Sequence, residues 1–156
     1  MALVDVLDRI PPSKTELRQP LLQMVQELAD SLLRYQDPAS GVWWQITDKA
    51  AARGNYLESS ASSMFVYFYA KALNQGLIDN SYRDFTLQAY QGLLNQFVLV
   101  DANGTAHLTQ MVQVAGLGFG RDGSYDYYQN EPVIRDDAKG VAPFIMAGVQ
   151  VARLLQ

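Results

Sequence analysis

The chain has 156 residues, 49% of them apolar and 18% charged, with 12 basic against 16 acidic side chains and a formal charge of −4. That length and apolar share suit one domain with a core of its own and exclude disorder of the whole chain. The acidic balance excludes a phosphate-reading face for nucleic acid. No cysteine and a single histidine exclude disulfides, a thiol nucleophile and any site built from several histidines.

Nothing at the start reads as a targeting signal: Asp5 and Asp8 interrupt the apolar run of residues 1–10, and no basic region precedes it. Nowhere do eighteen apolar residues run together, so no membrane span or membrane partner is expected. The default expectation is a cytoplasmic location. Residues 2–10 carry Leu3, Val6, Leu7 and Ile10 at helical spacing and stop at Pro11-Pro12. Ser13-Lys14-Thr15-Glu16 matches a capping box, and Pro20 makes the following turn irregular. From Leu21 an amphipathic helix is expected to about residue 36, with Leu21, Val25, Leu28 and Leu32 on its apolar stripe.

Residues 37–55 read as a loop, with Asp37-Pro38, Ser40-Gly41 and Gly54-Asn55 as turn formers around a short extended piece at 42–46. The next helix, about 57–75, is apolar around most of its circumference and ends at Asn74-Gln75-Gly76 as a C-cap. Another amphipathic helix is expected over about 81–99, opened by Ser81 and Asp84, with Phe85, Ala89, Leu93 and Phe97 inward. In the long stretch 100–139, Asn103-Gly104 signals a hairpin and 105–109 a strand. A last helix, from about 141, is apolar nearly all round, with Pro143 in its first turn.

Amphipathic helices thus alternate with apolar ones, as a double layer of outer and inner helices requires. Connections from inner to outer helices are short, and those from outer to inner are long. The long loops therefore gather on one face, at the starts of the inner helices, where sites are built and helix dipoles favour an anion.

Several motifs have a plainer reading beside the functional one. Gly116-Leu117-Gly118-Phe119-Gly120 lacks the lysine and helix of a phosphate loop and reads as a tight turn. Asp101-Ala102-Asn103-Gly104 is a fragment of a calcium loop and also reads as a turn. The Asn103-Gly104-Thr105 sequon is read the same way. His107 reads as structural. Asp122, Asp126, Glu131, Asp136 and Asp137 share one loop with Arg121, Tyr125, Tyr127 and Tyr128, a mixture that suits a carbohydrate: aromatic faces stack on sugar rings and carboxylates accept hydroxyls. Trp43 and Trp44 add to it, although packing beneath the loop is expected for at least one of them.

Three separated blocks then resemble a known family: residues 41–48 and 54–65, residues 114–118 and 121–128, and residues 136–144. They are similar to the unsaturated uronyl hydrolases of glycoside hydrolase families 88 and 105, closest to the rhamnogalacturonyl type. The resemblance covers the C-terminal part of the family domain. It implies an all-α fold, about half of an (α/α)6 barrel, as a single partial domain over 1–156 with a small β-element in 100–140. It implies hydrolysis of oligosaccharides ended by an unsaturated uronic acid, as pectin breakdown yields, with no metal or organic cofactor. The family's acid/base aspartate lies upstream of the matched residues, so no catalytic residue is assigned and the chain alone is expected to be inactive, a truncated or split form. Wall residues of the sugar pocket are expected to be Trp43, Trp44, Tyr56, Glu58, Arg121, Asp122, Tyr125 and Lys139, with Arg121 or Lys139 meeting the anionic sugar. The alternative is a non-catalytic carbohydrate-binding or assembly module. An open half-ring also implies a homo-oligomer, with contacts centred on Leu3, Val6, Leu7, Phe144 and Ile145.

Overall fold

A computed structural model describes residues 1–50 and 52–156, and helices dominate it. The helices are α1 (Ala2–Arg9), α2 (Thr15–Tyr35), α3 (Ser59–Asn74), α4 (Arg83–Phe97), the short α5 (Tyr125–Asn130) and α6 (Ala138–Leu154). Two small antiparallel pairs lie between α4 and α6: β1 (Val98–Val100) with β2 (Ala106–Leu108), and β3 (Met111–Val112) with β4 (Val133–Ile134). The expected alternation of helix character and loop length is present, and α3 is its centre. It packs along α6 and also touches α4, α2 and α1.

α3 is buried because its surface is small or aromatic on every side. Ser59, Ser60, Ser62 and Ser63 let neighbours approach at its start, and Val66 through Ala70 fill the core further on. It ends as the sequence predicts. Gly76 takes φ +62°, its amide meets the Leu73 carbonyl, and the Leu77 amide meets that of Ala72, the two bonds of a Schellman cap.

Three boundaries differ from the sequence expectation. The capping box does not form. Lys14 occupies the cap position without a side-chain bond, its carbonyl takes the amides of Leu17 and Arg18, and α2 begins at Thr15 and runs straight through Pro20. Arg18 explains the early start: its guanidinium donates to the carbonyls of Leu7 and Ile10 at 2.8 and 2.7 Å, closing the end of α1 and pinning the hairpin. At the start of α4 the side-chain cap comes from Asp79, which accepts the Ser81 amide ahead of a single 3₁₀ turn. At its end, Val98–Val100 leave the helix to pair with β2 around Asn103-Gly104, since a run of β-branched and leucine side chains beside a hairpin turn favours a ladder.

α6 is also less enclosed than an all-round apolar sequence predicts. Gly140, Pro143, Ala147, Gln150 and Val151 are buried, Gly140 against Met111 of β3, while Ile145, Met146 and Val149 are exposed. On α2, Leu17, Met24 and Leu28 are likewise exposed. The double layer therefore has two open apolar edges.

Candidate functional site

The connections 36–58 and 98–137 meet at one end of the helices, where α3 and α6 begin. The extended piece after α2 lies along the entry to α3: the Gln45 amide donates to the Tyr56 carbonyl, the Glu58 amide to that of Trp43, and Trp44 bridges Leu57. Asn55 folds the segment between them, its carboxamide exchanging bonds with both backbone groups of Ile46. Gly41 enters this segment at φ +75° and fits because Gly92 of α4 has no side chain: a Cβ there would stand 2.5 Å from the Ser40 carbonyl oxygen.

Trp43 is a core residue and not a wall residue. It is 0% exposed, its indole N–H donates to the Leu32 carbonyl at 2.8 Å, and its ring meets Phe65 and Phe85 edge-on. Trp44 points the other way in the alternation of the extended chain and remains half-buried, its indole nitrogen sealed from solvent on the side of the Asp37 carboxylate, whose pKa it helps to lower.

Glu58 is 1% exposed and its carboxylate is fully engaged in structure. One oxygen accepts the Ala61 amide at 2.7 Å as the cap of α3. The other accepts the Ser60 hydroxyl at 2.8 Å and the Val112 amide at 3.0 Å. It holds the two long connections together and has no surface to offer a ligand. Tyr56, two residues earlier, is different. Its hydroxyl is sealed and unpartnered, and burial together with the charges of Glu58 and Glu131 pushes its pKa up to about 12.

In the second connection, Gly118 and Arg121 exchange both backbone bonds around Phe119-Gly120, a two-residue turn with both φ values positive. The glycine-rich stretch is thus a hairpin tip, and Phe119 stands fully exposed on it. Asp122 accepts the Ser124 amide, which holds its carboxyl below the usual range, and Ser124 caps α5. Tyr125 reaches back to the first connection, donating to the Arg53 carbonyl at 3.1 Å. Between these loops lies a shallow cleft of about 400 Å³ lined by Gln45, Ile46, Thr47, Lys49, Tyr125 and Tyr128.

The two cations expected to meet an anionic sugar both face acids. Arg121 lies 3.9 Å from Glu131, and Lys139 lies 3.4 Å from Asp137, the cap of α6. Glu131 and Tyr127, general loop residues by sequence, both lie beside Arg121. Glu131 is mostly buried, and the Tyr127 hydroxyl is sealed, with its pKa raised first by burial and then by Glu131. Their signal was only their company in an acidic, aromatic loop, because no fixed spacing marks such a pair.

His107 is structural in this fold. Its ring sits between Asp136 at 2.7 Å and Asp101 at 3.4 Å, and both carboxylates raise its pKa. Asp136 also accepts the Leu108 amide, so the histidine fastens the β1–β2 hairpin to the approach of α6. Asp101 closes the hairpin turn through the amides of Asn103 and Thr105. Among the described residues no group of three or more side chains is placed to hold a metal ion, and no helix is long and apolar enough to cross a membrane.

The family model for glycosyl hydrolase family 88 matches residues 1–155. Protein Atu3128 of Agrobacterium fabrum and the 24.9 kDa protein in the picA locus of Rhizobium radiobacter are each 40% identical over 156 residues. In both cases the match covers 94% of this chain and 65% of the relative, just under two thirds of its length. Among solved structures, a glycoside hydrolase from family 105 of C. acetobutylicum superposes with a TM-score of 0.95 at 37% identity, over 98% of this chain and 43% of that one. A possible family 105 member from Klebsiella pneumoniae has the same fold, with a TM-score of 0.81 at 23% identity, over all of this chain and 38% of its own. The chain therefore has the fold of part of a six-hairpin α/α barrel.

Proposed function

Because this chain belongs to glycosyl hydrolase family 88, we propose that it forms one wall of a site for oligosaccharides ended by an unsaturated uronic acid, and supplies no proton donor. The observation that carries this is the meeting of both long connections at one end of the helices, across an open cleft lined from one by Gln45, Ile46, Thr47 and Lys49 and from the other by Tyr125 and Tyr128. Aromatic faces stack on sugar rings, and amide, hydroxyl and ammonium groups beside them exchange hydrogen bonds with sugar hydroxyls.

In the reaction that the family resemblance implies, a carboxylic acid protonates C4 of the enol ether and water adds at C5. The hemiketal formed then collapses, breaking the glycosidic bond and releasing the neighbouring sugar. Glu58 is held by three donors as a helix cap, and Asp122 by the turn before α5, so neither has the freedom of a proton-transferring acid. The wall role falls to Trp44, Tyr56, Arg121 and Tyr125, with Lys139 at its margin.

The ultraviolet absorbance of the enol ether is the direct assay. Residues 1–156 are expected to leave it unchanged on an unsaturated uronyl disaccharide. Steady loss of absorbance would show a proton donor within this chain.

The exposed stripe of Ile145, Met146 and Val149 on α6 favours an assembly role as well. We propose self-association through this edge. Leu7 takes no part, because it is already buried in the chain's own core, whereas Val6 and Ile145 are exposed.

A further inference from the structure

We infer that Asn103 is a site of spontaneous modification, at which the Gly104 amide nitrogen closes on the Asn103 side chain and converts it to isoaspartate and aspartate. Of the six asparagines in the chain, Asn103 alone precedes a glycine. A glycine nitrogen has no side chain beside it to block the approach of the carboxamide carbon. Asn55, by contrast, is tied through its carboxamide to both backbone groups of Ile46, and Asn74 and Asn95 lie in helices.

The hairpin turn between β1 and β2 holds the reacting groups together. The Asn103 carboxamide oxygen accepts the Thr105 amide at 2.9 Å and the Thr105 hydroxyl at 2.5 Å. The first of these bonds closes a ring that contains both the Asn103 Cγ and the Gly104 nitrogen, so the two stay neighbours. Both donors point at the oxygen on which negative charge develops when Cγ is attacked, as an oxyanion site requires. The tip also has room to move. Residues 102–105 are exposed, and nothing stands within 4 Å of the place a Gly104 Cβ would take. The Gly104 amide donates to the Asp101 carbonyl at 3.0 Å, and that one bond must open first, a small local cost at an exposed tip. Asp122-Gly123 has the same turn, with the Ser124 amide on the Asp122 carboxylate, but an ionised carboxylate offers no leaving group like ammonia, and Leu117 crowds Gly123.

The step balances within the chain and water. The Gly104 nitrogen bonds to Cγ, the Cγ–Nδ2 bond breaks, and the Gly104 amide proton leaves with Nδ2 as ammonia. Water then opens the cyclic imide. Addition at Cγ gives aspartate, and addition at the main-chain carbonyl gives isoaspartate, with the peptide now running through Cγ. Either product adds a carboxylate beside Asp101. Isoaspartate also lengthens the turn by a methylene and displaces the Thr105 amide from Asp101, which braces the hairpin that carries His107.

The test incubates the intact 156-residue chain at neutral pH for weeks and follows every asparagine by peptide mapping, with fragmentation that separates isoaspartate from aspartate. Asn103 should convert first, and isoaspartate should appear there. Thr105→Val removes the hydroxyl donor and keeps the backbone bond, so it should slow conversion about threefold, whereas Thr105→Ser should stay within about twofold of the parent. Conversion of another asparagine ahead of Asn103, no conversion at all, or equal rates in Thr105→Val and the parent would overturn the inference.

Discussion

Glu58 accepts the backbone amide of Val112 at 3.0 Å, although 54 residues separate them in the chain. A helix cap and a crosslink between two long loops are thus one side chain. Because three donors converge on it in a buried setting, Glu58→Ala is expected to cost about 3 kcal/mol or more in urea unfolding. Glu58→Gln, which keeps an acceptor oxygen, should cost about half as much. Equal stability of both variants with the parent would show that the crosslink does not hold the loops.

The adjacent tryptophans should behave as opposites. Trp43→Ala empties a fully buried space and orphans the Leu32 carbonyl, so a loss of about 3–5 kcal/mol is expected. Trp44→Ala should cost much less stability and should weaken sugar binding, measured by calorimetry. Comparable destabilisation by the two would contradict their division into core and wall.

Two ion clusters set expectations for pH. Burial alone would raise the pKa of Asp5, but the Lys71 ammonium at 2.6 Å and the Tyr67 hydroxyl at 2.5 Å overcome it and hold the carboxyl below its ordinary value. Its contribution is therefore complete above the unfolded carboxylate range and is lost as pH falls through the lowered value. His107 has the opposite sign. Its pKa is raised by Asp136 and then Asp101, so its contribution is complete below the ordinary histidine value and fades as pH rises through the raised one. Urea midpoints measured across pH should fall at the acid end less steeply for Asp5→Asn than for the parent, since other lowered carboxylates remain, and fall on the alkaline side less for His107→Gln than for the parent.

The exposed edge of α6 gives a hydrodynamic expectation. Sedimentation equilibrium at tens of micromolar should show a species heavier than the 17.4 kDa chain. Ile145→Asp combined with Val149→Asp should return it to a monomer while helical circular dichroism is kept. A parent that sediments as a monomer would end the assembly proposal.

The helices were legible because their patterns are local. Val25 and Leu32 recur on one face of α2, and Gly76 marks a Schellman end. What escaped depended on partners remote in sequence. Arg18 decides where α2 starts by binding the end of α1, and the pairing of Val98 with Leu108 decides where α4 stops. The site was legible as a neighbourhood and not as roles. Alternation along 42–46 leaves the choice between Trp43 and Trp44 open, and only the packing of α2 and α4 assigns Trp43 to the core. Glu58 follows the same logic: a buried acid is read as chemistry until the amide of Val112 is seen to occupy it.

The sugar wall is tested most directly by where an unsaturated uronyl disaccharide contacts this chain. Amide chemical-shift mapping of residues 1–156 during titration with that disaccharide measures it. The expected result is saturable shifts confined to residues 44–58 and 112–139, with α2 and the body of α4 unmoved. Shifts centred on α2 or on the exposed face of α6, or none at millimolar sugar, would contradict a sugar wall at the loop end of the helices.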